Sequence, residues 1–424
     1  MFIVIVVFAC TYFLIVFGLI HRTVAALAGA LTMLAIGAIR PVEAFWAVDF
    51  DTLGLLTGMM IIVGITRTTG VFEYLAVKAA KIAKGEPVGI LAALCLITAV
   101  LSAFLDNVTT VMLIIPITFA IARRLEVNPV PYLMAIIIAS NIGGAATMVG
   151  DPPNIMISGF TGLGFMDFVT NLAPAAVVVY IVTVSVMKSV FSPRIKTIPA
   201  LKGRIRRLKA EDQLKDRVLL GQCSAVVIFT VLGFVLHRQI HLEPAFIAVV
   251  GAVVLLLITN HGLLDALRNV EWSVIIFFAS LFVMVGALDK TGVFERLAGE
   301  CLEITGGDIL LAAMLILWVS AIASALIDNI PFVAAMIPLI HDMGRLGGFD
   351  DLTLLWWSLS LGSCFGGNGT AIGASANVVV IGLAEKSGVH ISYLNYLKIG
   401  FPLMILSIVI STVYLLFWYY LNVN

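Results

Sequence analysis

Three aspartates lie within long apolar runs of the sequence, where an ionised side chain is unusual. Asp106 and Asp328 each precede an asparagine, in SAFLDNVTT and SALIDNIPF, and Asp151 lies in SNIGGAATMVGDPPN. A carboxylate at the centre of a bilayer costs about 2.5 to 3.5 kcal/mol even on insertion scales, so intramembrane aspartates are candidate functional groups. Each could instead cap a helix, because Asp is a common N-cap residue. The two roles are compatible, since a capping carboxylate can also bind a proton or a cation.

Oxygen-bearing side chains and glycine-rich segments surround these aspartates. Hard cations prefer oxygen ligands, unwound helix segments supply further carbonyl oxygens, and the N-termini of half-helices offer N–H donors to an anion. The glycines have a second interpretation, because small residues also let membrane helices pack closely. Candidate sodium sites lie around Asn107 with Gly143 and around Asn329 with Gly366. The residues that we predict to bind ions or substrate are Asp106, Asn107, Thr109, Thr110, Ser140, Asn141, Thr147, Gly150, Asp151, Asn154, Asp328, Asn329, Ser363, Asn368, Thr370, Gly373, Ser375 and Asn377.

No Lys or Arg is expected at the depth of these aspartates, so an anionic substrate would rely on amides, hydroxyls and helix dipoles. Asp151 and Pro152 occupy the positions that Ala374 and Ser375 occupy in the second glycine-rich motif, so only the first motif is acidic. Asp151 could bind a proton, coordinate a cation or cap a half-helix, and we favour a role in coupling or substrate binding. The five cysteines form no CxxC pair and no metal-ligand spacing, which is typical of packing residues.

The composition indicates a membrane protein. Of 424 residues, 61% are hydrophobic and 12% are charged, and the mean hydropathy is +1.11. Soluble proteins carry about 25% charged residues, so a soluble enzyme is excluded, and the net charge of zero provides no basic surface for nucleic acid. A helix needs roughly 20 apolar residues to cross a bilayer. Full spans are predicted at 2–20, 23–39, 50–66, 172–191, 218–236, 245–259, 271–288 and 399–420.

Four further apolar regions are interrupted in the middle instead of at the membrane edge. The regions 88–124 and 308–342 predict re-entrant hairpins with an aspartate near each tip. The regions 130–159 and 353–386 predict spans broken by glycine-rich centres. Non-helical backbone at membrane depth is tolerated only where it is buried in protein or lines a cavity. The breaks therefore indicate the same buried site as the aspartates.

An internal duplication divides the chain into two halves. TGVFEYLA at 69–76 matches TGVFERLA at 291–298, and the hairpin aspartates match at the same shift of 222 residues. Each half has five spans and one hairpin, and an odd number of crossings inverts the second half relative to the first. We predict an all-α polytopic membrane protein with two inverted repeats, at 1–192 and 218–424, and a basic linker at 193–217.

The distribution of basic residues predicts the orientation of the chain. With the linker in the cytoplasm, twenty of the twenty-five Lys and Arg residues lie inside, as the positive-inside rule expects. Both termini then face outward in a multi-pass protein of the cell membrane. The linker, SPRIKTIPALKGRIRRLKAEDQLKDR, could also be a patch for nucleic acid or lipid headgroups, but its role as an orientation signal is sufficient to explain its charge.

The motifs SAFLDNVTT, SNIGGAATMVGDPPN, SALIDNIPF and CFGGNGTAIGASANVV closely resemble those of the P protein family, in the arsenite-antimonite permease branch of the ion transporter superfamily. The resemblance covers both halves, nearly the whole chain apart from the linker. It implies an elevator-type fold, in which hairpins and broken helices move against a scaffold, and a homodimer in the lipid bilayer. It implies transport of small ions, and no cofactor is expected other than H⁺ and/or Na⁺ as the coupling ion.

The layout is more distantly similar to that of the sodium-coupled dicarboxylate transporters, whose hairpin tips carry Ser-Asn-Thr. In this sequence Asp106 and Asp328 replace the serine at both tips, and Pro331 replaces the hydroxyl that Thr109 supplies in the first half. The departure argues against sodium-coupled dicarboxylate uptake and favours coupling to protons.

We therefore expect a secondary active transporter of small inorganic or organic anions, including arsenite-type species, coupled to protons and/or sodium, and not an enzyme. One alternative is a sodium-proton antiporter that uses Asp151 and the two tip aspartates. Another is an anion channel, because one sequence does not show whether both gates open together. An intramembrane aspartyl protease would need an acid-base pair of aspartates, whereas the pair that repeats, Asp106 with Asp328, suits paired ion sites.

Overall fold

The computed structural model describes residues 2–259 and 262–422, and all regular secondary structure in those ranges is helical. The remaining residues, among them the chain ends that are predicted to face outward, lie outside the described ranges. The first half contains α1 (Phe2–Val16), α2 (Arg22–Ala35), α3 (Pro41–Ala47), α4 (Phe50–Thr68), α5 (Val71–Ile82), α6 (Pro87–Ser102), α7 (Asn107–Leu125), α8 (Val130–Gly144), α9 (Pro152–Thr161) and α10 (Phe165–Phe191). The linker contains α11 (Pro199–Arg206). The second half contains α12 (Arg217–Ile240), α13 (Pro244–Thr259), α14 (Leu263–Arg268), α15 (Trp272–Asp289), α16 (Val293–Thr305), α17 (Ile309–Leu326), α18 (Asn329–Gly347), α19 (Thr353–Gly366), α20 (Ser375–Lys386) and α21 (Tyr393–Asn422).

Seven of the described helices are long and apolar enough to cross a membrane, and α1, α2 and α13 are shorter apolar helices. The all-α polytopic membrane architecture expected from the sequence is confirmed. The spans predicted at 2–20 and 23–39 end early, at Val16 and Ala35. The glycines that follow these ends, Gly18 and Gly37, have φ values of +60° and +72°, and this left-handed conformation terminates a right-handed helix.

The same order of ten helices occurs in each half. α7 and α18 begin at Asn107 and Asn329, 222 residues apart, and α9 and α20 begin at Pro152 and Ser375, 223 residues apart. The repeated TGVFE motifs begin the short helices α5 and α16, which join the third span of each half to its hairpin.

Each hairpin turns at an aspartate that caps its second helix. The Asp106 carboxylate accepts a hydrogen bond from the Thr109 backbone N–H at 3.0 Å, at the start of α7. Asp328 accepts from the Ile330 backbone N–H at 3.3 Å, at the start of α18. The capping interpretation of these aspartates is therefore correct, and it leaves one carboxylate oxygen of each residue for other partners.

Each broken span stops and restarts within a buried segment. α8 ends at Gly144 and α9 begins at Pro152, whose ring fixes φ at a value suited to the first helical turn. A Cβ atom on Gly143 would overlap the backbone of Ala99 in the first hairpin, and one on Gly366 would lie 2.6 Å from the Ala321 carbonyl oxygen in the second. These glycines therefore allow close packing of the broken spans on the hairpins.

The helices pack as two groups. α1–α4 and α12–α15 contact mainly one another, as in the pairs α4 with α13 and α2 with α15, and we call them the scaffold group. α6–α10 and α17–α21 contact mainly one another, as in the pairs α17 with α19 and α6 with α8, and we call them the central group. Both hairpins and both broken spans belong to the central group, so the residues predicted to bind ions lie in one body.

The linker packs on the open end of the first hairpin. Leu201 and Ile205 of α11 are buried, and the Thr197 hydroxyl donates to the Leu125 carbonyl oxygen at 2.7 Å. The Lys202 ammonium lies 2.7 Å from the carboxylate of Glu86, at the other base of the hairpin. The linker is thus an ordered segment attached to the central group.

Candidate functional site

A small cavity lies where the hairpin tips and the broken spans of both halves meet. The space in it that water molecules can enter is about 30 Å³, so it holds one or two waters and no larger molecule in this conformation. The residues that line it are Arg22, Leu56, Met60, Asp106, Asn107, Val108, Asp151, Pro152, Glu271, Val274, Asn329, Ile330, Ala374, Ser375 and Ala376. Five of the eighteen predicted site residues are among them, namely Asp106, Asn107, Asp151, Asn329 and Ser375.

The first hairpin tip is held to the first broken span by a hydroxyl network. The Asn107 side-chain oxygen accepts a hydrogen bond from Ser102, and the Ser140 hydroxyl lies 3.4 Å from the same oxygen. A Cβ atom on Gly144 would lie 2.5 Å from the Asn107 side-chain oxygen, whereas one on Gly143 would meet the backbone of Ala99. Of the two glycines, Gly144 therefore faces Asn107, because consecutive helical positions face different neighbours. A sodium site around Asn107 stays a prediction.

Two equivalent asparagines bind carbonyl oxygens of the unwound segments. The Asn154 amide donates to the carbonyl oxygen of Thr147 at 2.9 Å, and the Asn377 amide donates to those of Gly367 at 2.7 Å and Thr370 at 2.9 Å. Three of the carbonyl oxygens that these segments could offer to a cation are thus already bonded in this conformation. The amides satisfy several of them, as buried backbone polar groups require.

Threonine hydroxyls fix the unwound segments to the hairpins in both halves. Thr147 donates to the carbonyl oxygen of Ala103, and Thr370 donates to that of Ala325 at 2.5 Å. Gly150 and Gly373 also approach the hairpin backbones, since a Cβ atom on either would lie within 3 Å of a hairpin carbonyl oxygen. These residues lie behind the cavity and position its walls.

Asn141 crosses from the first half to the second. Its amide donates to the side-chain oxygens of Asn368 at 2.9 Å and Asn377 at 3.2 Å, and all three side chains are buried. The Asn141 oxygen and the Asn368 amide nitrogen have no hydrogen-bond partner among the described residues. This pair can therefore still accept from one polar group and donate to another, such as a water molecule.

Thr109, Thr110 and Ser363 are also absent from the residues that line the cavity. The Ser363 hydroxyl bonds within its own helix, to the Leu359 carbonyl oxygen at 2.7 Å. Thr110 is buried and its hydroxyl has no partner in the described part of the chain. Thr109 contributes its backbone N–H to the Asp106 cap.

Asp151 lies at the interface of the two halves with 1% of its surface exposed. The Asn329 amide nitrogen lies 3.4 Å from both Asp151 carboxylate oxygens, which is a long hydrogen-bond distance. Asp151 occupies the N-cap position of α9, but its side chain makes no capping hydrogen bond. Simple capping therefore does not explain this carboxylate.

The expectation that no Lys or Arg reaches the aspartates is wrong. The Arg22 guanidinium lies 2.9 Å from the Asp328 carboxylate and hydrogen-bonds the Ser375 hydroxyl. Arg22 begins an apolar run and was counted among the twenty basic residues on the cytoplasmic side. In the structure the N-terminus of α2 lies beside the second hairpin tip, since α1 and α2 are short.

Glu271 is a second cavity residue that the sequence analysis missed. It holds the N-cap position of α15. Asp49 holds the equivalent position before α4, 222 residues earlier. An acidic residue precedes the third span in both halves, and this repetition could have identified Glu271. Hydropathy, however, interprets an acidic residue beside an apolar run as the edge of a span.

Comparisons with known proteins agree with this architecture. A family profile described as "Citrate transporter" matches residues 12–362. An uncharacterized transporter of Mycobacterium tuberculosis is 43% identical over 98% of this chain and 97% of its own length. The human P protein is 34% identical over 97% of this chain and 59% of its own, so the resemblance to the P protein family is confirmed. The crystal structure of the YdaH transporter of Alcanivorax borkumensis is similar in fold, with a TM-score of 0.59 at 11% identity, over 87% of this chain and 85% of that one.

Proposed function

Since this chain belongs to the citrate transporter family and is a membrane transporter, we propose that it is a secondary active carrier of a small anion, driven by protons and/or sodium. The anions that we consider run from citrate-type carboxylates to arsenite-type oxyanions. The observation that carries the proposal is the convergence of helix N-termini on one cavity. Those of α7, α9, α18 and α20 meet there, beside the Arg22 guanidinium.

Helix N-termini favour anions, because their backbone N–H groups are unpaired and the helix dipole is positive at that end. Broken helices place such ends at the centre of the membrane in many secondary transporters. Two ends from each half face the same cavity here, so an anion there would receive donors from both repeats.

The carboxylates of the cavity explain why a cation should accompany the anion. Asp106, Asp151 and Glu271 line the same space. An anion placed among three carboxylates is repelled, and a proton or sodium ion bound to them removes that repulsion. The proposal therefore assigns coupling to these residues and to the neighbouring amides of Asn107 and Asn329.

Transport requires a change of conformation, because the cavity admits only water-sized molecules as it stands. Movement of the central group against the scaffold group would open it to each side in turn. The proposal includes a homodimer formed by scaffold helices, a cytoplasmic linker and outward-facing termini in the cell membrane.

Sodium-proton antiport is a second candidate, favoured by Asp151. Its carboxylate has the Asn329 amide as a distant partner and does not cap its helix. A buried carboxylate of this kind can exchange a proton for a cation without any anion. Proton movement driven by a sodium gradient in anion-free liposomes, followed by a pH-sensitive dye, separates this function from anion transport.

The proposal is tested in proteoliposomes with labelled citrate, and with succinate, phosphate and arsenite in parallel. We expect saturable uptake that a proton or sodium gradient stimulates and that unlabelled substrate inside the liposomes accelerates. Flux without saturation or counterflow would indicate a channel. Uptake that keeps its pH and sodium dependence after combined Asp106→Asn, Asp151→Asn and Glu271→Gln substitution would contradict the assignment of coupling.

A further inference from the structure

The Arg22 guanidinium is held by the chain's own second hairpin tip. One of its nitrogens, Nη1, lies 2.9 Å from Oδ2 of Asp328 and also bonds the Ser375 hydroxyl, which itself donates to Oδ2 of Asp328 at 2.6 Å. The Phe277 ring centroid lies 5.3 Å from the guanidinium carbon, so the cation is also covered by an aromatic face. Both N–H groups of Arg22 Nη1 are therefore engaged by the chain's own side chains in this conformation.

This contact joins the two groups of helices. Arg22 begins α2 of the scaffold group, whereas Asp328 and Ser375 begin α18 and α20 of the central group. The side chains of Arg22 and Asp328 are 29% and 15% exposed, so the ion pair is largely shielded from water. A partly buried Arg–carboxylate pair is stronger and less screened than a surface pair.

Among the described residues, no equivalent ion pair forms at the first hairpin tip. At the repeat-related positions Pro244 replaces Arg22 and Pro152 replaces Ser375, and neither proline has a side-chain donor. Asp106 instead accepts from the Thr109 backbone. The ion pair is thus a property of one hairpin, and repetition of the fold alone does not explain it.

Arg22 is also the one basic side chain among the cavity residues of the described chain. A carboxylate that enters this cavity would find its strongest partner already bound to another carboxylate. Given the proposed anion transport, we propose that Asp328 is a tethered competitor that occupies the anion subsite of Arg22 and Ser375 until a substrate carboxylate replaces it.

Replacement has a mechanical consequence. When a substrate carboxylate takes the place of Asp328 on Arg22, the central group loses its ion pair to α2. The second hairpin tip is then free to separate from the scaffold group. Substrate binding therefore also releases the central group from the scaffold group. Without substrate the ion pair stays intact, which suppresses movement of the empty carrier.

Citrate binding to the purified chain in nanodiscs, measured by calorimetry at fixed pH and sodium, tests the proposal. Asp328→Asn keeps a good N-cap residue but removes the competing charge, so we expect it to bind citrate at least tenfold more tightly than the unmodified protein. Arg22→Gln should bind at least tenfold more weakly, and Arg22→Lys should lie between, because a lysine keeps the charge and loses the planar fork.

Two comparisons make the result specific. Asp328→Asn in an Arg22→Gln background should change citrate affinity by less than twofold, because the competitor acts only through Arg22. Arg238→Gln removes a more exposed Arg–Asp pair, with Asp167, between the same two groups, and should leave citrate affinity unchanged.

Equal or weaker citrate binding by Asp328→Asn, in a protein whose unmodified form binds citrate, would overturn the inference and leave the proposed function intact. If only Asp328→Asn binds citrate, the inference is supported, because the competitor then masks the subsite. Absence of citrate binding in both proteins, together with absence of saturable uptake of citrate, succinate, phosphate and arsenite, would instead refute anion transport and, with it, the inference.

Discussion

The amide nitrogen of Asn329 lies 3.4 Å from both carboxylate oxygens of Asp151, across the two halves of the chain. The acidic residue of the first broken span thus faces the tip of the second hairpin. The repeat-related residue of Asp151 is Ala374, so the reciprocal contact is absent. The two halves build one asymmetric centre, whose carboxylate interacts with the side chains of Cys364, Asn329 and Asn107.

Asp151→Asn should separate coupling from folding. The substitution keeps the shape of the side chain and removes its charge, so we expect a melting temperature close to that of the unmodified protein. Citrate uptake in proteoliposomes should lose its response to an imposed pH or sodium gradient, as expected for an intramembrane carboxylate with a transport role. Asp265→Asn, in an exposed ion pair of α14, is the control and should change neither property. A gradient response that persists in Asp151→Asn would remove Asp151 from the coupling site.

The glycines of the broken spans should tolerate no larger side chain. A methyl group on Gly143 would overlap the backbone of Ala99, and one on Gly366 would meet that of Ala321. Overpacking in a close-packed interior costs about 1–3 kcal/mol, and a backbone neighbour has little freedom to yield. Gly143→Ala and Gly366→Ala should therefore lower the melting temperature in detergent.

Gly221 of α12 provides the matched control, because a Cβ atom there meets nothing within 4 Å. Alanine is favoured over glycine in a helix interior by about 1 kcal/mol, so Gly221→Ala should maintain or raise the melting temperature. Equal effects at the three positions would show that the broken spans are not closely packed on the hairpins.

The Asn141–Asn377 contact should couple the two halves energetically. Truncating one partner leaves a buried amide unsatisfied, which costs about 1–3 kcal/mol. Denaturation of Asn141→Ala, Asn377→Ala and the double variant forms a double-mutant cycle, and residues in contact show interaction energies of about 0.5–3 kcal/mol. Additive effects of the two substitutions would mean that the amides do not interact.

The linker should be attached by packing more than by charge. Leu201 and Ile205 are buried, whereas the Lys202–Glu86 and Arg204–Glu126 pairs are more exposed. Exposed ion pairs contribute about 0–1 kcal/mol, and truncating a buried Leu or Ile costs about 2–5 kcal/mol. Hydrogen exchange at residues 199–206 should accelerate strongly in Leu201→Ala and only slightly in Lys202→Gln. The reverse order would show that charge holds the linker.

Most of the membrane architecture could be predicted from the sequence, because apolar runs report which segments lie in lipid. The hairpin tips and the glycine-rich breaks were also predictable, since Asp106, Asp328 and the glycine clusters interrupt those runs. The tips match at a shift of 222 residues and the glycine-rich breaks at 223, which indicated the repeat. The types of polar residue at each interruption could therefore be identified from the sequence alone.

The contacts of those residues were not predictable from the sequence. Hydropathy shows which segments lie in the membrane, but it does not show which helix terminus packs against which hairpin tip. Arg22 begins a predicted span, and a basic residue in that position indicates the edge of the membrane. In the structure, the short helices α1 and α2 place it beside Asp328. Glu271 was missed for the same reason. Which carbonyl oxygens accept hydrogen bonds from Asn154 and Asn377 depends on the direction of those side chains, and that direction is determined by packing.

The measurement that tests the central claim most directly is concentrative uptake of labelled citrate by proteoliposomes with an inward gradient of protons or of sodium. A gradient-driven anion carrier should raise internal citrate above the external concentration, lose that accumulation when an ionophore collapses the gradient, and lose it again in Asp151→Asn. Internal citrate that only equilibrates with the outside, or accumulation that survives the ionophore, would contradict cation-coupled anion transport.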